Sequence, residues 1–518
     1  MSSDTHSVVY KGPIPMYING KDVLTPDNTF NVTSPVTNED IWSSSSAQTS
    51  HAVEAVEAAE AAFPAWRATT PQERRNILLR AADIMESRKK ELGTYMDEET
   101  ASEGPYSAGF IVPTGIEILR DIAGRIVTAL TSSKPVCSQP NRQAIVFKEP
   151  YGVILGIAPW NAPYILGMRS ICPALAAGNT VVLKGAERSP RCFWAISSIF
   201  AEAGLPAGVL NTIYVKPSDG PAVTSALISH PAVKKINFTG SSAVGRVIAE
   251  QAGRVLKPCL MELGGKAPAV ILPGADLSLA ARECVNGAFM HAGQICMSTE
   301  KVIVPVSLLP AFEAHIERAL NAAYPDKREC VTLVSTASKT RIDTLISDAI
   351  AKGAVLLNGD SGANPPRTNG AGSDHIGPNG TFTADTNGTN GLNGAPPTAK
   401  MRPHILKFLP PSSTLYHTES FGPVLCLMTY ADGDEADALR LANDTEYGLS
   451  SSVFCGDLAA GLRFARGIES GAVHINGMTV HDEPNLPHGG VKSSGWGRFN
   501  GAAGLEEFLV SKTVTWVE

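Results

Sequence analysis

Gly152-Val-Ile-Leu-Gly-Ile-Ala158, running into the loop Pro159-Trp-Asn-Ala-Pro163, is the stretch that decides the fold. An unbroken apolar run of this length, closed by a proline-flanked loop, marks a strand covered on both faces, as parallel strands are. The pattern then repeats. A helix follows the loop, Thr180-Val-Val-Leu183 is the next buried strand and ends at Lys184, and a helix over 192–203 leads to Leu210-Asn-Thr-Ile-Tyr214. A further helix precedes Lys235-Ile-Asn-Phe238. Alternating strand and helix mean βαβ units and a parallel sheet, so the fold class is α/β.

Working outward, the alanine-rich run 51–63, with glutamates at helical spacing, predicts a solvent-facing helix, and two more follow over 71–92 and 113–130. Small strands are expected at Met16-Tyr-Ile-Asn-Gly20 and around Asp40-Ile-Trp42. A polar link, 132–141, precedes Gln143-Ala-Ile-Val-Phe-Lys148, an exposed strand expected to need a partner chain. Downstream, a strand at 301–304, helices at 309–323 and 338–352, and strands at 402–406, 424–430 and 451–454 form a second α/β unit. Between them, 359–399 is rich in Asn-Gly pairs; such composition builds no core, and a surface loop without assigned function is expected. The tail, 507–517, is strand-like and apolar enough to need covering.

The totals narrow the function. A chain of 518 residues, 43% hydrophobic and 18% charged, holds about two or three domains. Its net charge of −7 favours neither nucleic acid nor a membrane surface as partner. The nine cysteines are scattered, with no CxxC and no Cys/His spacing for a zinc site, so no metal is expected. Their odd number, and a polar start without an apolar signal core, place the chain in a reducing, cytoplasmic compartment.

Chemistry concentrates in Phe289-Met-His-Ala-Gly-Gln-Ile-Cys296-Met-Ser-Thr-Glu300. Cys296 follows a turn that Gly293 makes possible, and a thiolate there can attack a carbonyl carbon. A cysteine that merely packs accounts for the same loop. In Met261-Glu262-Leu-Gly-Gly-Lys-Ala-Pro268, Glu262 sits among apolar neighbours, where desolvation raises a carboxyl pKa and suits it to general-base work. Alternatively it caps a helix or pairs with Lys266. Thr239-Gly-Ser-Ser-Ala-Val-Gly245 opens a helix after a strand, a place where phosphate can sit, although many such turns carry no ligand.

Together these motifs resemble the NAD(P)-dependent aldehyde dehydrogenase superfamily. MELGGKAP and GQICMSTE, with Glu262 and Cys296 34 residues apart, match its glutamate and cysteine signatures. Pro159-Trp-Asn161, Phe238-Thr-Gly-Ser241 and Glu419-Ser-Phe-Gly-Pro423 match further motifs, in order, and the likeness runs over residues 16–518 outside 359–399. The resemblance implies a Rossmann-type cofactor domain (1–130 and 151–264), an α/β catalytic domain (265–475) and a β oligomerisation arm with tail (131–150 and 476–518). It implies a homodimer or homotetramer.

By the same resemblance Cys296 is the nucleophile, Glu262 activates water against the thioester, and Asn161 with the Cys296 N–H holds the oxyanion. Lys184 and Glu187 match the adenosine-ribose residues; a carboxylate there favours NAD, with NADP left open. Trp160, Gly240, Ser241 and Gly245 match the wall and turn around the adenine and pyrophosphate, and Glu419 and Phe421 the nicotinamide positions. Leu166, Arg169, Met290, Ile295 and His488 fall where the family's substrate tunnel is lined. Arg169 could hold a hydroxyl or carboxylate of the substrate, or form a salt bridge at a subunit surface.

Thr479-Val-His-Asp-Glu-Pro484 and 149–158 are similar to the salicylaldehyde/vanillin branch, so an aromatic or hydroxylated aromatic aldehyde is the expected substrate, in a secondary-metabolite or polyketide route. The chain departs from the family at His488 (usually phenylalanine), Ser170 (often lysine) and Lys301 (often arginine). These put the substrate and the surroundings of Glu262 in question more than the reaction. Two other readings remain: a CoA-acylating relative, against which Glu262 speaks, and a catalytically silent protein of the same fold.

Overall fold

Two open sheets carry the chain. The computed structural model describes residues 12–325, 330–359 and 398–517. The first sheet has eight strands in the order Lys21–Val23, Met16–Ile18, Leu210–Ile213, Thr180–Lys184, Val153–Ile157, Val233–Thr239, Cys259–Glu262 and Gly495–Trp496. Its five central strands are parallel and its outer ones antiparallel. Every residue of Val153–Ile157 is buried, as a strand covered on both faces requires.

The chain enters the parallel part of this sheet at Val153–Ile157, steps outward through Thr180–Lys184 to Leu210–Ile213, and returns on the other side as Val233–Thr239 and Cys259–Glu262. The order therefore reverses beside Val153–Ile157. In open α/β sheets such a reversal leaves a crevice at the carboxyl ends of the strands, and ligands bind there. The register puts the relevant residues in one row. Ile157 lies between Lys184 and Phe238, Phe238 beside Met261, and Thr239 beside Glu262.

The second sheet has seven strands: Val355–Asn358, His404–Lys407, Val424–Tyr430, Thr299–Pro305, Ala267–Ile271, Ser450–Phe454 and Ala472–Ile475. All are parallel except the first. Only residues 263–266 separate the last parallel strand of one sheet from Ala267–Ile271 of the other. The motif that carries Glu262 is thus the joint between the sheets.

Helix Pro163–Ala177 is buried along its whole length, which explains its lack of a polar face. Proline opens it and Gly178, at φ 94°, ends it. The helix expected over 71–92 is two, Pro71–Ser87 and Lys89–Thr100. Arg88 leaves helical geometry between them, and its guanidinium bonds Glu91 and Ser198, each at 2.8 Å.

Arg142–Pro150 and the tail strand Leu509–Val517 pair antiparallel with each other along their whole length. Each pairs one edge of the other, and the two form a two-stranded ribbon on which Phe147, Val510, Val514 and Val517 remain exposed. The Asn-Gly-rich segment lies almost wholly outside the described residues, as do residues 1–11. Among the described residues, no helix is long and apolar enough to cross a membrane.

Candidate active site

Cys296 stands between the tight turn Met290–Gly293 and the strand Thr299–Pro305. His291, Ala292 and Gly293 follow one another in left-handed conformation, at φ 48°, 57° and 70°. Two consecutive non-glycine residues in that region are strained, and strain of this kind gathers at functional sites. A Cβ on Gly293 would lie 2.1 Å from the Gly422 carbonyl oxygen, so the turn needs glycine for space as well as for φ. Gln294 braces the loop: its carbonyl oxygen accepts from Val334 N–H (2.8 Å) and its NH₂ donates to the His291 carbonyl (3.1 Å). The loop leans on the joint, because a Cβ on Gly265 would meet the Cys296 carbonyl at 2.1 Å. Cys296 itself is half-buried, open to approach.

Glu262 ends its strand with Oε1 3.7 Å from the Cys296 sulfur. The same oxygen lies 3.1 Å from His488 Nε2, while Oε2 faces Arg169 Nη1 at 3.5 Å. The raised carboxyl expected from the sequence is not found, although desolvation alone would raise it. The charge and hydrogen bond of His488, then the Arg169 guanidinium, outweigh it and hold Glu262 down at about 2. Lys266 is not its partner; that ammonium pairs with Glu300. Cys296 moves the other way. Burial, then the carboxylates of Glu262 and Glu419, push the thiol well above its ordinary value, with Arg169 opposing. A thiol so placed needs a base within reach, and Glu262 is that near.

Arg169 is 2% exposed, so it forms no surface salt bridge. Its Nε donates to Asn500 (3.1 Å) and its Nη2 binds Asp482, which also accepts from Asn500 Nδ2 at 3.0 Å. Its charge is matched by Glu262 and Asp482. Ser170, one residue on, turns to the sheet, donating to the Leu166 carbonyl (2.8 Å) and packing on Gly156. Lys301 is buried over the Tyr416 ring and donates to the Asp444 carbonyl (2.8 Å); burial and the neighbouring Lys266 hold its pKa down at about 8.

Asn161 Nδ2 donates to the Gln294 carbonyl at 3.0 Å, tying the 159–161 loop to the residue pair before Cys296. Leu166, Ile295 and Met290 share one apolar cluster with the Cys296 side chain. Tyr106 and His291 join them: their rings stack at 4.6 Å, and His291 lies 6.1 Å from the Trp160 ring. Sequence patterning did not single out Tyr106. It precedes Ser107–Ile111, a wide i→i+5 turn of the sort that marks functional sites, but no apolar period announces it.

Along the crevice, Lys184 ends its strand, and burial lowers its ammonium pKa while Glu187 raises it. Its Nζ has no ion-pair partner among the described residues, which suits a ligand hydroxyl. Ser241 caps helix Ser242–Arg254 and leaves that helix's first N–H groups at the crevice. Gly240 and Gly245 are packing positions: a Cβ would meet the Phe238 ring at 2.5 Å in the first and Leu263 at 2.6 Å in the second. Glu419 accepts from Gly265 N–H with Oε1 (2.8 Å), and burial raises it to about 8 against that bond. Phe421, left-handed at φ 45°, meets Trp160 edge to face, 6.0 Å between centroids. Glu300, quoted in the cysteine motif without a role, holds this segment by accepting from Ser420 N–H (2.7 Å) and Oγ (3.0 Å).

The model of the aldehyde dehydrogenase family matches residues 23–374 and 383–514. A vanillin dehydrogenase of Pseudomonas sp. strain HR199 is 41% identical over 508 residues, 97% of each chain. A salicylaldehyde dehydrogenase of Pseudomonas sp. strain C18 is 37% identical over 511 residues, 96% of this chain and 97% of its own. The crystal structure of a salicylaldehyde dehydrogenase from Pseudomonas putida G7, complexed with salicylaldehyde, superposes with TM-score 0.87 at 35% identity, covering 98% of each chain.

Proposed function

Because the chain belongs to the aldehyde dehydrogenase family, we propose that it oxidises an aromatic aldehyde to the carboxylic acid, with NAD as preferred acceptor. The observation that carries this reading is Glu262 Oε1 at 3.7 Å from the Cys296 sulfur, at the carboxyl end of the crevice. NAD(P) is the family's cofactor, and the residues present fit it. The N-terminus of helix Ser242–Arg254 would hold the pyrophosphate, Lys184, which has no ion pair among the described residues, and Glu187 would hold the adenosine ribose, and Glu419 Oε2 would face a second ribose. The Glu187 carboxylate would repel a 2′-phosphate, hence the preference for NAD.

The thiol proton passes to Glu262, and the sulfur attacks the aldehyde carbon to give a thiohemiacetal. The Cys296 N–H and the second N–H of the Asn161 amide meet its oxyanion. Bound in the crevice, NAD(P) supplies the acceptor for the hydride leaving that carbon. The acyl group then rests on Cys296 as a thioester. Having given the thiol proton up to solvent, Glu262 takes a proton from the water that attacks the thioester, and the acid leaves with the sulfur restored. A retained Glu262 favours water over CoA as acyl acceptor, and it sets this reading above that of a silent scaffold.

The apolar cluster of Leu166, Met290 and Ile295, with Tyr106, makes a flat-sided receptor for an aromatic ring. Arg169 is already matched by Glu262 and Asp482 and has no spare charge for a substrate carboxylate, so uncharged or hydroxylated rings are preferred over carboxylated ones. The first sheet, apart from its edge strand Gly495–Trp496, supports reading a cofactor domain (1–130 and 151–264), and the second supports a catalytic domain (265–475). The exposed apolar face of the Arg142–Pro150 and Leu509–Val517 pair is covered in a dimer or tetramer, and the enzyme works in the cytoplasm.

NADH formation with benzaldehyde, hydroxybenzaldehydes, para-carboxybenzaldehyde and propanal tests this. The expected kcat/KM for the uncharged aromatic aldehydes exceeds that for the carboxylated ring and for propanal by about tenfold or more. Equal rates on propanal refute the aromatic assignment.

A further inference from the structure

We propose that His488 is a positioning residue for the reacting thiol: it holds Oε1 of Glu262 against the Cys296 sulfur, so that the carboxylate can take the thiol proton. The inference rests on the reading of Cys296 as nucleophile. A buried arginine facing a carboxylate favours the fork, two parallel N–H···O bonds to both oxygens. That is not the arrangement here. Only Oε2 is turned to Arg169, at 3.5 Å, while Oε1 is drawn off to His488 Nε2 at 3.1 Å and so comes to lie 3.7 Å from the sulfur. A carboxylate only accepts, so Nε2 is the donor.

His488 is itself fixed. Its backbone exchanges hydrogen bonds with Phe499, His488 N–H to Phe499 carbonyl at 2.9 Å and the reverse at 2.7 Å, and 8% of the residue is exposed. The charged and titratable groups around the pair come from every neighbouring element. Arg169 lies on helix Pro163–Ala177, and Asp482 and Asn500 stand behind it. Glu419 acts on Cys296, which in turn acts on Tyr106, and His474, packed against His481, feels the charge of His488. Of these, only Arg169 competes for Glu262. The imidazole therefore decides which oxygen the sulfur meets, and this placement outweighs the basicity that the same hydrogen bond takes from Glu262. In the step it serves, the S–H bond breaks, its proton goes to Oε1, and the electron pair stays on sulfur.

The test is the rate at which iodoacetamide alkylates Cys296, followed by peptide mass spectrometry across pH, in the full-length enzyme and in H488F, H488N and H488Q. At neutral pH, H488F and H488N are expected to react at about a tenth of the wild-type rate, part of the roughly 10²–10⁴ that a placed base contributes. At alkaline pH, where hydroxide ionises the thiol unaided, they converge with wild type. H488Q carries an amide donor long enough to reach Oε1, and it stays within about threefold of wild type throughout. Profiles of H488F and H488N that superpose on wild type overturn the proposal, as does H488Q slowed as much as the other two at every pH. The shorter H488N keeps the test decisive should H488F fail to fold. No aldehyde enters the measurement, so a failed substrate assignment leaves it standing, and its own failure leaves the aldehyde panel untouched.

Discussion

Replacing Arg169 by methionine keeps most of the buried volume and removes the charge between two carboxylates. At 3.5 Å from Glu262 and an effective dielectric of about 20, that charge is worth about 5 kcal/mol, or about 3.5 pKa units. Glu262, held at about 2 in the wild type, moves to between about 5 and 6. The sign of the stability change follows. In the wild type the folded pKa lies below the unfolded value of about 4.3, so this carboxylate stabilises the fold above that pH and the benefit fades as pH falls towards 2. In the variant the folded pKa lies above the unfolded one, so the same group favours unfolding at neutral pH and ceases to do so below about 4.

Asp482 loses its cation too, and the total cost at neutral pH is about 3–5 kcal/mol. Two assays read this: melting temperature at a fixed scan rate between pH 4 and 8, and the pH profile of kcat/KM on benzaldehyde. The variant melts lower at neutral pH, the gap narrows on acidification, and its acidic limb appears between about pH 5 and 6. An acidic limb unmoved from wild type, with a melting difference independent of pH, would refute the electrostatic account of Glu262.

Three other substitutions probe separate parts of the site. Glu187→Ser removes the carboxylate facing a 2′-phosphate, and kcat/KM for NADP should rise at least about tenfold relative to NAD; an unchanged ratio removes Glu187 from cofactor choice. Asn161→Ala should lower kcat about 10²–10³-fold with little change in KM for NAD, as steady-state kinetics would show. Lys266→Met strands Glu300 as a buried charge, costing about 3–5 kcal/mol; because Glu300 holds Ser420, the KM for NAD should rise more than kcat falls.

Much of this could be read from the chain because it depends on local pattern. Val153–Ile157 and Thr180–Lys184 are apolar runs bounded by loop residues, and burial on both faces writes that pattern directly. Cys296 and Glu262 belong to motifs whose glycines have a local purpose, since Gly265 and Gly293 each let another backbone come close. What surrounds Glu262 could not be read this way. Arg169 meets Glu262, Asp482 and Asn500 across 93, 313 and 331 residues, and His488 reaches Glu262 across 226. No period spans such separations, so desolvation was visible in the sequence and the guanidinium and imidazole that reverse it were not. The strands Arg142–Pro150 and Leu509–Val517 were each legible as strands, but their mutual pairing joins the middle of the chain to its end. Tyr106 escaped notice because a single aromatic residue after a Gly-Pro step has no periodic neighbours.

The claim on which the rest depends is that the substrate's acyl group is carried on one sulfur while a separate carboxylate releases it. Glu262→Gln, mixed with benzaldehyde and NAD, quenched in acid and digested, tests it directly. The account predicts about one NADH per active site, formed slowly because the thiol has lost its base as well, steady turnover reduced roughly 10²–10⁴-fold, and a benzoyl adduct on the Cys296 peptide. The same NADH without an adduct there, or an adduct on any other residue, would contradict it.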